Sequence, residues 1–322
     1  MGFTRPVILL ATLASTLSLA TPGCRPRTPA TVQPVRVAVL SVGSAGHGII
    51  GPVINREALQ DATDELSDAS PDIIVLRFDS PGGMVAAVPD LSDLVHYELE
   101  PRYRVVAWVH RAASAAALVA LTCDEIALTP DGILGGIVTY EADDNGTVRP
   151  IADHDLAVML DIGREVAERG GYDPLIVQAM QQPTGLSRED DHWRGDDGGP
   201  VVLCPRGEIL VLNAVTATDA TISLGEASDL PQLMALLEVS NWEPVGSDVD
   251  ERLQARLAAA DAALERATQL APIEGPTTSE ELGAIAQQYP WVARYLGLPS
   301  PEGAVTDFEG AEEHDDAHHV PD

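Results

Sequence analysis

The amino-acid sequence predicts an α/β protein with a largely parallel sheet and a helical extension at its C-terminal end. Three observations predict this fold class. Short apolar or β-branched runs alternate with segments of helical apolar spacing from residue 35 to about residue 240. One run, Asp72–Phe78, is almost continuously apolar, which is typical of a strand buried on both faces of a sheet. After Gly246 the composition changes to a long helix rich in Ala, Leu and Arg, Asp248–Leu270.

The elements of the alternating region follow from local patterns. The predicted strands are Val35–Val42, Asp72–Phe78, Arg104–His110 and Glu125–Leu128. The predicted helices are Val53–Leu66, Met84–Leu99, Ala112–Leu121, Asp155–Arg169, Asp173–Gln181, Ala214–Ala220 and Leu230–Glu238. Val201–Cys204 and Glu208–Leu212, joined by a Pro-Arg-Gly turn, are predicted to form a hairpin. Ser279–Gln288 is predicted as a second helix of the extension.

The charge balance excludes several classes of function. The chain of 322 residues has 50 acidic and 19 basic residues, a formal net charge of −31. Electrostatic binding to nucleic acid or to an anionic membrane needs clustered positive charge, so neither is expected. All basic residues are Arg, which excludes a Lys base, a Lys Schiff base and a phosphate-binding loop built on Lys. We expect no metal and no cofactor.

The N-terminal 24 residues have the pattern of an export signal. Arg5 precedes an apolar run, Val7 to Ala20, of 14 residues, which is short for a membrane span and suits a signal peptide. Thr21-Pro22-Gly23-Cys24 then resembles a bacterial lipoprotein cleavage site, although an apolar residue is usual at position 21. The sequence therefore predicts a lipid on Cys24 and a location in the cell envelope, on the periplasmic side. Ordinary signal cleavage and an uncleaved start are the alternatives.

These observations divide the chain into five parts. Residues 1–24 are the predicted signal peptide, and residues 25–34, rich in Pro and Thr, the predicted linker. Residues 35–245 form the predicted α/β domain and residues 246–300 the helical extension, before an acidic, His-containing and disordered tail at residues 301–322. Cys123 and Cys204 remain, and the sequence leaves open whether they form a disulfide or are two small buried residues.

Two loops at predicted strand ends carry the residues that suit chemistry. The buried strand ends in Asp79-Ser80-Pro81-Gly82-Gly83, and tandem glycines let backbone N–H groups approach a ligand closely. Ser114 opens a helix of small residues, where free N–H groups and the helix dipole favour an anion. An ordinary strand-to-helix turn and an ordinary N-cap explain the same residues. Both loops lie at the carboxyl ends of strands, where α/β proteins bind ligands.

A series of motifs in this order resembles the ClpP/crotonase superfamily. The motifs are Ile74 to Gly83, Val105–Val109, Ala113 to Ala116, Cys123 to Pro130, Gly135-Gly136, Val166 to Gly171 and Gly207 to Ala227. They resemble most closely the membrane-associated serine peptidases of the NfeD and signal-peptide-peptidase-A type. The resemblance covers roughly residues 35–240 and implies a spiral of βαβ units.

The resemblance implies a role for individual residues. Ser114 stands at the nucleophile position, and the N–H groups of Gly83 and Ala115 would form an oxyanion hole, with Gly82 shaping the turn. The family's Lys base is replaced by Arg164 in this alignment. Because Arg keeps its proton, it cannot act as a general base. The sequence therefore predicts feeble proteolysis or none, which Arg164→Lys would raise if burial depressed the pKa of the new Lys.

Three histidines are weaker alternatives for the base. His110 lies four residues before Ser114, His154 opens the helix that carries Arg164, and His192 lies in a polar loop. A Ser–His pair is chemically reasonable because His titrates near neutral pH.

Three interpretations of the function follow. The chain is an exported serine peptidase with an unrecognised base, an inactive pseudopeptidase that binds peptides or acts as a scaffold at the membrane, or a crotonase-type acyl-CoA enzyme. Export disfavours the third, because it separates the protein from CoA. The expected partners are a peptide or a segment of a membrane protein, further copies of this chain in a homo-oligomer, and a membrane reached through the lipid anchor.

Overall fold

A six-stranded sheet organises the part of the chain that the structure describes. The computed structural model describes residues 33–44, 48–138, 140–142, 148–150, 153–273 and 275–298, and all elements below belong to the unit that begins at Pro34. The strand order is β10-β4-β3-β2-β1-β11, and every neighbouring pair is parallel except β10 with β4. These strands are β1 (Val35–Val42), β2 (Ile73–Ser80), β3 (Arg104–Ala113), β4 (Glu125–Gly135), β10 (Val211–Asn213) and β11 (Trp242–Pro244).

Two smaller sheets lie between β4 and β10 in the sequence. A two-stranded sheet is formed by β5 (Tyr140–Ala142) and β6 (Val148–Pro150), and a three-stranded sheet by β7 (Leu186–Glu189), β8 (His192–Arg194) and β9 (Val201–Cys204). Both are antiparallel.

Helices follow most of the strands, as βαβ connections require. The α-helices are α1 (Arg56–Glu65), α2 (Val88–Asp93), α3 (Ala115–Ala120), α4 (Asp153–Arg169), α5 (Pro174–Gln181), α6 (Ala214–Asp219), α7 (Leu230–Leu236), α8 (Ser247–Leu270), α9 (Pro276–Gln288) and α10 (Pro290–Tyr295). A 3₁₀ turn, Val85–Ala87, precedes α2, and a π-helical turn, Leu94–Leu99, follows it. Several starts have side-chain caps, for example Asn55, which accepts a hydrogen bond from the Ala58 N–H.

Apolar side chains cover the sheet on both faces, because successive strand residues point to opposite sides. Along β2, Ile74, Leu76 and Phe78 belong to the larger buried cluster, together with the alanines of α3. Ile73 and Val75 face the smaller cluster, which α7 closes. This two-sided burial explains the continuous apolar run in the sequence.

The C-terminal helical region packs against the first strand and the first helix. Val249, Leu253 and Leu257 of α8 are buried. At the amino end of α8, the Ser41 N–H donates a hydrogen bond of 2.6 Å to Asp250 Oδ1, and Gln254 Nε2 donates one of 2.7 Å to the Ser41 carbonyl. The helix is therefore joined to β1 by polar contacts as well as by apolar packing.

The expected α/β fold with a mainly parallel sheet and a helical C-terminal region is confirmed. The predicted hairpin is wrong, because β9 pairs with β7 and β10 pairs with β4 in a different sheet. Strand β4 continues to Gly135 and so offers β10 an edge that local sequence patterns could not reveal. The helix expected from Ala112 begins at Ala115, because β3 continues to Ala113. Cys123 and Cys204 are both buried free thiols, so they form no disulfide.

Some expectations concern residues outside the described part. The signal peptide with Cys24, nearly all of the linker, and the acidic tail lie there. Within the described residues, no helix is long and apolar enough to cross a membrane.

Candidate active site

Ser114 lies at the junction between β3 and α3, in an unusual backbone conformation. Its φ is 52° and its ψ is −128°, a region that glycine adopts easily and other residues rarely do. The Ser114 N–H donates a hydrogen bond of 3.1 Å to the Gly135 carbonyl of β4, and the Ser114 carbonyl accepts one of 2.9 Å from the Ala117 N–H. Neighbouring elements therefore hold a strained turn in place, and its side chain is half-buried.

Hydrogen bonds to Ile50 hold the glycine turn after β2, which consists of Gly82 and Gly83. The Ile50 N–H donates a hydrogen bond of 2.8 Å to the Gly82 carbonyl, and the Met84 N–H donates one of 2.9 Å to the Ile50 carbonyl. Gly82 and Gly83 have φ values of 105° and 153°. A side chain on Gly83 would lie 2.3 Å from the Ile50 carbonyl oxygen, so only glycine fits this approach.

The glycine turn, Gly82-Gly83, and the turn at Ser114 meet at the carboxyl ends of β2 and β3, and we call this place the rim. A Cβ built on Gly82 would lie 2.6 Å from Ser114 Cβ and 3.3 Å from the Ala115 nitrogen. Among the described residues, the N–H groups of Gly83 and Ala115 have no hydrogen-bond acceptor, and Gly83 is exposed. Free backbone donors beside a serine hydroxyl are what an oxyanion hole requires.

Ser80 and Arg111 support this rim, and the sequence analysis did not identify either. The fully buried Ser80 hydroxyl donates a hydrogen bond of 2.7 Å to the Gly48 carbonyl and accepts one of 3.2 Å from the Gly82 N–H. Arg111, opposite Asp79 in the sheet register, forms an ion pair of 3.1 Å with it. The position of Ser80 directly before Pro81 and the glycines was the available signal.

Arg164 lies on an exposed face of α4 and pairs with its own helix. Its guanidinium contacts Asp161 at 3.2 Å and Glu168 at 3.3 Å, and 54% of the side chain is exposed. The hydrogen bonds that Arg164 donates to Asp161 and Glu168 raise the pKa of its guanidinium above the ordinary value. It lines a shallow surface cavity with residues of α4 and α5, and neither Ser114 nor the glycine turn contributes to that cavity.

The histidines are spread over separate elements. His110 is exposed at an irregularity in the pairing of β3 with β4, and its Nδ1 lies 3.2 Å from Thr129 Oγ1. His192 is exposed in β8, opposite Glu189. His154 lies in the first turn of α4, with its side chain outside the described part. Among the described residues, Ser114 Oγ has no hydrogen-bond partner, so no base contacts it there.

Comparison with known protein families identifies the family to which this chain belongs. The model of the NfeD1b N-terminal domain matches residues 53–245, more than half of the chain. The chain therefore belongs to the NfeD1b N-terminal domain family, which confirms the predicted resemblance to proteins of the NfeD type. It is 32% identical over 181 residues to the membrane protein NfeD1b of Bacillus subtilis (strain 168), covering 56% of this chain and 36% of that protein. It thus spans about a third of that relative's length.

A solved structure supports the same fold. A mutant of the 1510-N membrane-bound stomatin-specific protease, in complex with a substrate peptide, has a TM-score of 0.50 and 15% identity, covering 70% of this chain and 99% of that one. At this identity the similarity shows the fold alone. A second mutant of the same protease has a TM-score of 0.49 and 16% identity, covering 64% of this chain and 86% of that one.

Proposed function

We propose that this protein is a serine-peptidase-like protein in which Ser114 attacks a peptide carbonyl. The observation that carries the proposal is the strained backbone of Ser114 at the start of α3, beside the glycine turn. The nearby N–H groups of Gly83 and Ala115 have no acceptor among the described residues. The oxyanion formed by the attack would accept hydrogen bonds from Gly83 and Ala115. Losing one such donor typically costs 10²–10³-fold in rate.

The substrate that suits this rim is an extended peptide. Gly82 and Met84 are hydrogen-bonded to Ile50 on one side, whereas Gly83 is exposed and its N–H has no acceptor within the described residues. An extended peptide can pair with such an edge as an added strand, which brings a carbonyl toward Ser114. The peptide bound to the protease with a similar fold is consistent with this substrate class.

The same geometry implies slow turnover. Arg164 cannot accept the Ser114 proton, and its donors are engaged by Asp161 and Glu168. General-base assistance is typically worth 10²–10⁴-fold, so a serine without it is a weak nucleophile. His154, His110 and His192 are the remaining candidates for the base.

A second candidate is a pseudopeptidase that binds peptides without cleaving them. The lack of a hydrogen-bonded base at Ser114 Oγ within the described residues favours it. The protein would then hold a peptide or a membrane-protein segment at the rim, as a scaffold. Assembly of several copies is part of either proposal.

We also propose that the protein is exported and anchored through a lipid on Cys24. The short apolar segment before Gly23-Cys24 supports this, as does the relative named a membrane protein. Cys24→Ser should release the protein from membranes and change its mobility on a gel. Unchanged membrane association and mobility would contradict the anchor.

A fluorophosphonate probe and a pH profile test the catalytic proposal. The wild-type protein should be labelled slowly at Ser114, and Ser114→Ala should not be labelled. Without a side-chain base, the labelling rate should rise about tenfold per pH unit above neutrality, because hydroxide must remove the proton. A plateau near pH 7 that disappears in one of His154→Ala, His110→Ala or His192→Ala would instead identify a histidine base. An unlabelled wild-type protein that still binds peptides would favour the pseudopeptidase.

A further inference from the structure

Ser80 is a fully buried serine at the end of β2, and both hydrogen bonds of its hydroxyl go to backbone groups of loops. The hydroxyl donates one of 2.7 Å to the Gly48 carbonyl and accepts one of 3.2 Å from the Gly82 N–H. Burying a hydroxyl costs free energy unless it is hydrogen-bonded, and these two bonds offset that cost. The side chain therefore connects the glycine turn to the segment that begins at Gly48.

The hydrogen bond from Gly82 fixes the peptide plane that precedes this glycine. Pro81 has no N–H, so the Gly82 N–H is the first backbone donor after Ser80, and its bond to the hydroxyl closes a local turn. Gly82 has a φ of 105° and no Cβ, so its own sterics limit rotation of its backbone only weakly. The serine hydroxyl therefore holds the Pro81–Gly82 peptide in one orientation.

The next peptide plane, between Gly82 and Gly83, carries the donor of the proposed oxyanion hole. Its carbonyl, on Gly82, accepts a hydrogen bond of 2.8 Å from the Ile50 N–H. In a trans peptide the C=O and N–H groups point in opposite directions, so the Gly83 N–H points away from Ile50. On that side it has no acceptor within the described residues.

The second hydrogen bond of Ser80 acts on this same plane through Gly48. Gly48 lies two residues before Ile50, and its carbonyl accepts the Ser80 hydroxyl proton. The same short segment supplies the Ile50 N–H that holds the Gly82 carbonyl. One hydroxyl therefore restrains both peptide planes that flank Gly82, one directly and one through the Gly48–Ile50 segment.

We propose that Ser80 is a positioning residue for the oxyanion hole, because it fixes the direction of the Gly83 N–H. This inference rests on the proposed function, since the hole has a catalytic role only if Ser114 attacks a carbonyl. Ser80 itself touches no reacting atom. Without its hydroxyl the two glycines gain rotational freedom, and a misplacement of about 1 Å in an active site can cost about 10²-fold in rate.

Fluorophosphonate labelling of full-length variants tests this role. Ser80→Ala should be labelled at least about tenfold more slowly than the wild-type protein, through a lower maximal rate at an unchanged half-saturating probe concentration. Ser80→Thr retains the hydroxyl and should keep most of the wild-type rate, even where its additional methyl group lowers the urea midpoint. Equal rates in Ser80→Ala and the wild type, or equal losses in Ser80→Thr and Ser80→Ala, would overturn the assignment.

Ser187→Ala is the matched control for loss of a buried serine. Ser187 is also fully buried in a strand, and its hydroxyl accepts a hydrogen bond of 2.9 Å from the Gly199 N–H. It belongs to β7, which lies in a different sheet from β2. Its substitution should lower stability without slowing the labelling of Ser114. If it slowed labelling as much as Ser80→Ala does, a general loss of stability would explain both results and the assignment would be wrong.

Hydrogen exchange of backbone amides, measured by NMR, separates failure of this inference from failure of the proposed function. If the wild-type protein is not labelled, the proposed catalysis fails. Exchange at Ile50 and Gly82 that is at least about tenfold faster in Ser80→Ala would still support the role of Ser80 in holding the turn. Unchanged exchange at both amides would overturn it, whatever the labelling shows. If Ser80→Ala does not fold, Ser80→Cys, whose sulfur is a weak donor and acceptor, replaces it in both measurements.

Discussion

The rim at Ser114 and the contact between α8 and α10 both contain hydrogen-bond donors that have no acceptor among the described residues, but the donors differ in kind. At the rim they are the backbone N–H groups of Gly83 and Ala115, beside residues that contact Ile50 and Gly135. At the helix contact they belong to the buried side-chain nitrogens of Arg256 and Trp291. The rim depends on the path of the chain, whereas the helix contact depends on the packing of helices.

The two kinds of donor respond differently to substitution. Backbone donors cannot be removed by side-chain substitution, so the rim is sensitive mainly at glycines and at strained positions. The helix contact is sensitive to the identity of Arg256 and Trp291 and to Glu65, which accepts a hydrogen bond from Arg256.

Gly82→Ala should be the most damaging of these substitutions. It adds the strain of a positive φ and also places a Cβ 2.6 Å from Ser114 Cβ and 2.7 Å from the Ala113 carbonyl oxygen. We expect a loss of about 3 kcal/mol in the free energy of unfolding, measured by urea denaturation, together with loss of fluorophosphonate labelling.

Gly207→Ala is the matched control. Gly207 has a φ of 94°, close to that of Gly82, but a Cβ there would meet nothing within 4 Å. It should cost only about 1 kcal/mol, the strain alone. Equal losses in the two variants would show that the close approach of the two loops is not what requires glycine at position 82.

Ser114→Gly should stabilise the protein while removing the nucleophile. The backbone at Ser114 is costly for a residue with a Cβ, so glycine should raise the free energy of unfolding by about 1 kcal/mol after its own entropy cost. Ser114→Ala should leave stability nearly unchanged, because it keeps the Cβ. If Ser114→Gly were less stable than Ser114→Ala, the backbone at this site would not be strained.

Arg164→Lys should change neither stability nor labelling measurably. The sequence led us to expect a gain in activity if burial lowered the pKa of the introduced Lys. At a position that is 54% exposed and beside Asp161 and Glu168, nothing would lower it. Labelling rates of the two proteins, compared between about pH 7 and 9, check this. A faster rate in Arg164→Lys would place position 164 in the catalytic machinery.

Glu65→Gln should produce a small effect, which appears in the dependence of stability on pH. Hydrogen bonds from Arg256 and then Arg252 lower the pKa of Glu65 from its ordinary value. Its carboxylate therefore stabilises the folded state above the unfolded-state pKa of about 4.3, and this contribution is lost as the pH falls through the lower folded-state pKa. The variant should show a shallower loss of urea midpoint below about pH 4.5. If the urea midpoint fell as steeply with decreasing pH in the variant as in the wild-type protein, Glu65 would not be paired in solution.

Local sequence patterns were sufficient to predict β1 to β4 and most helices, but not the parallel edge strand β11. The run around Ile74 is apolar on both sides because both faces of β2 are buried, and this appears directly in the sequence. The glycine turn and Ser114 were also predictable as a candidate site, since both follow strand ends. The pairing partner of β10 was not predictable, because any free antiparallel edge satisfies a short apolar strand.

Periodicity, turn residues and ordered motifs are local properties of the chain, and they were sufficient to predict the fold class, the family and the residue types at the rim. The packing of distant segments was needed to show that Ser80 bridges Gly48 and Gly82 and that Arg164 is exposed among neighbours on its own helix. It also showed that Cys123 and Cys204 are free thiols. These contacts link residues distant in sequence, and their geometry depends on how helices and strands pack, which no local pattern encodes.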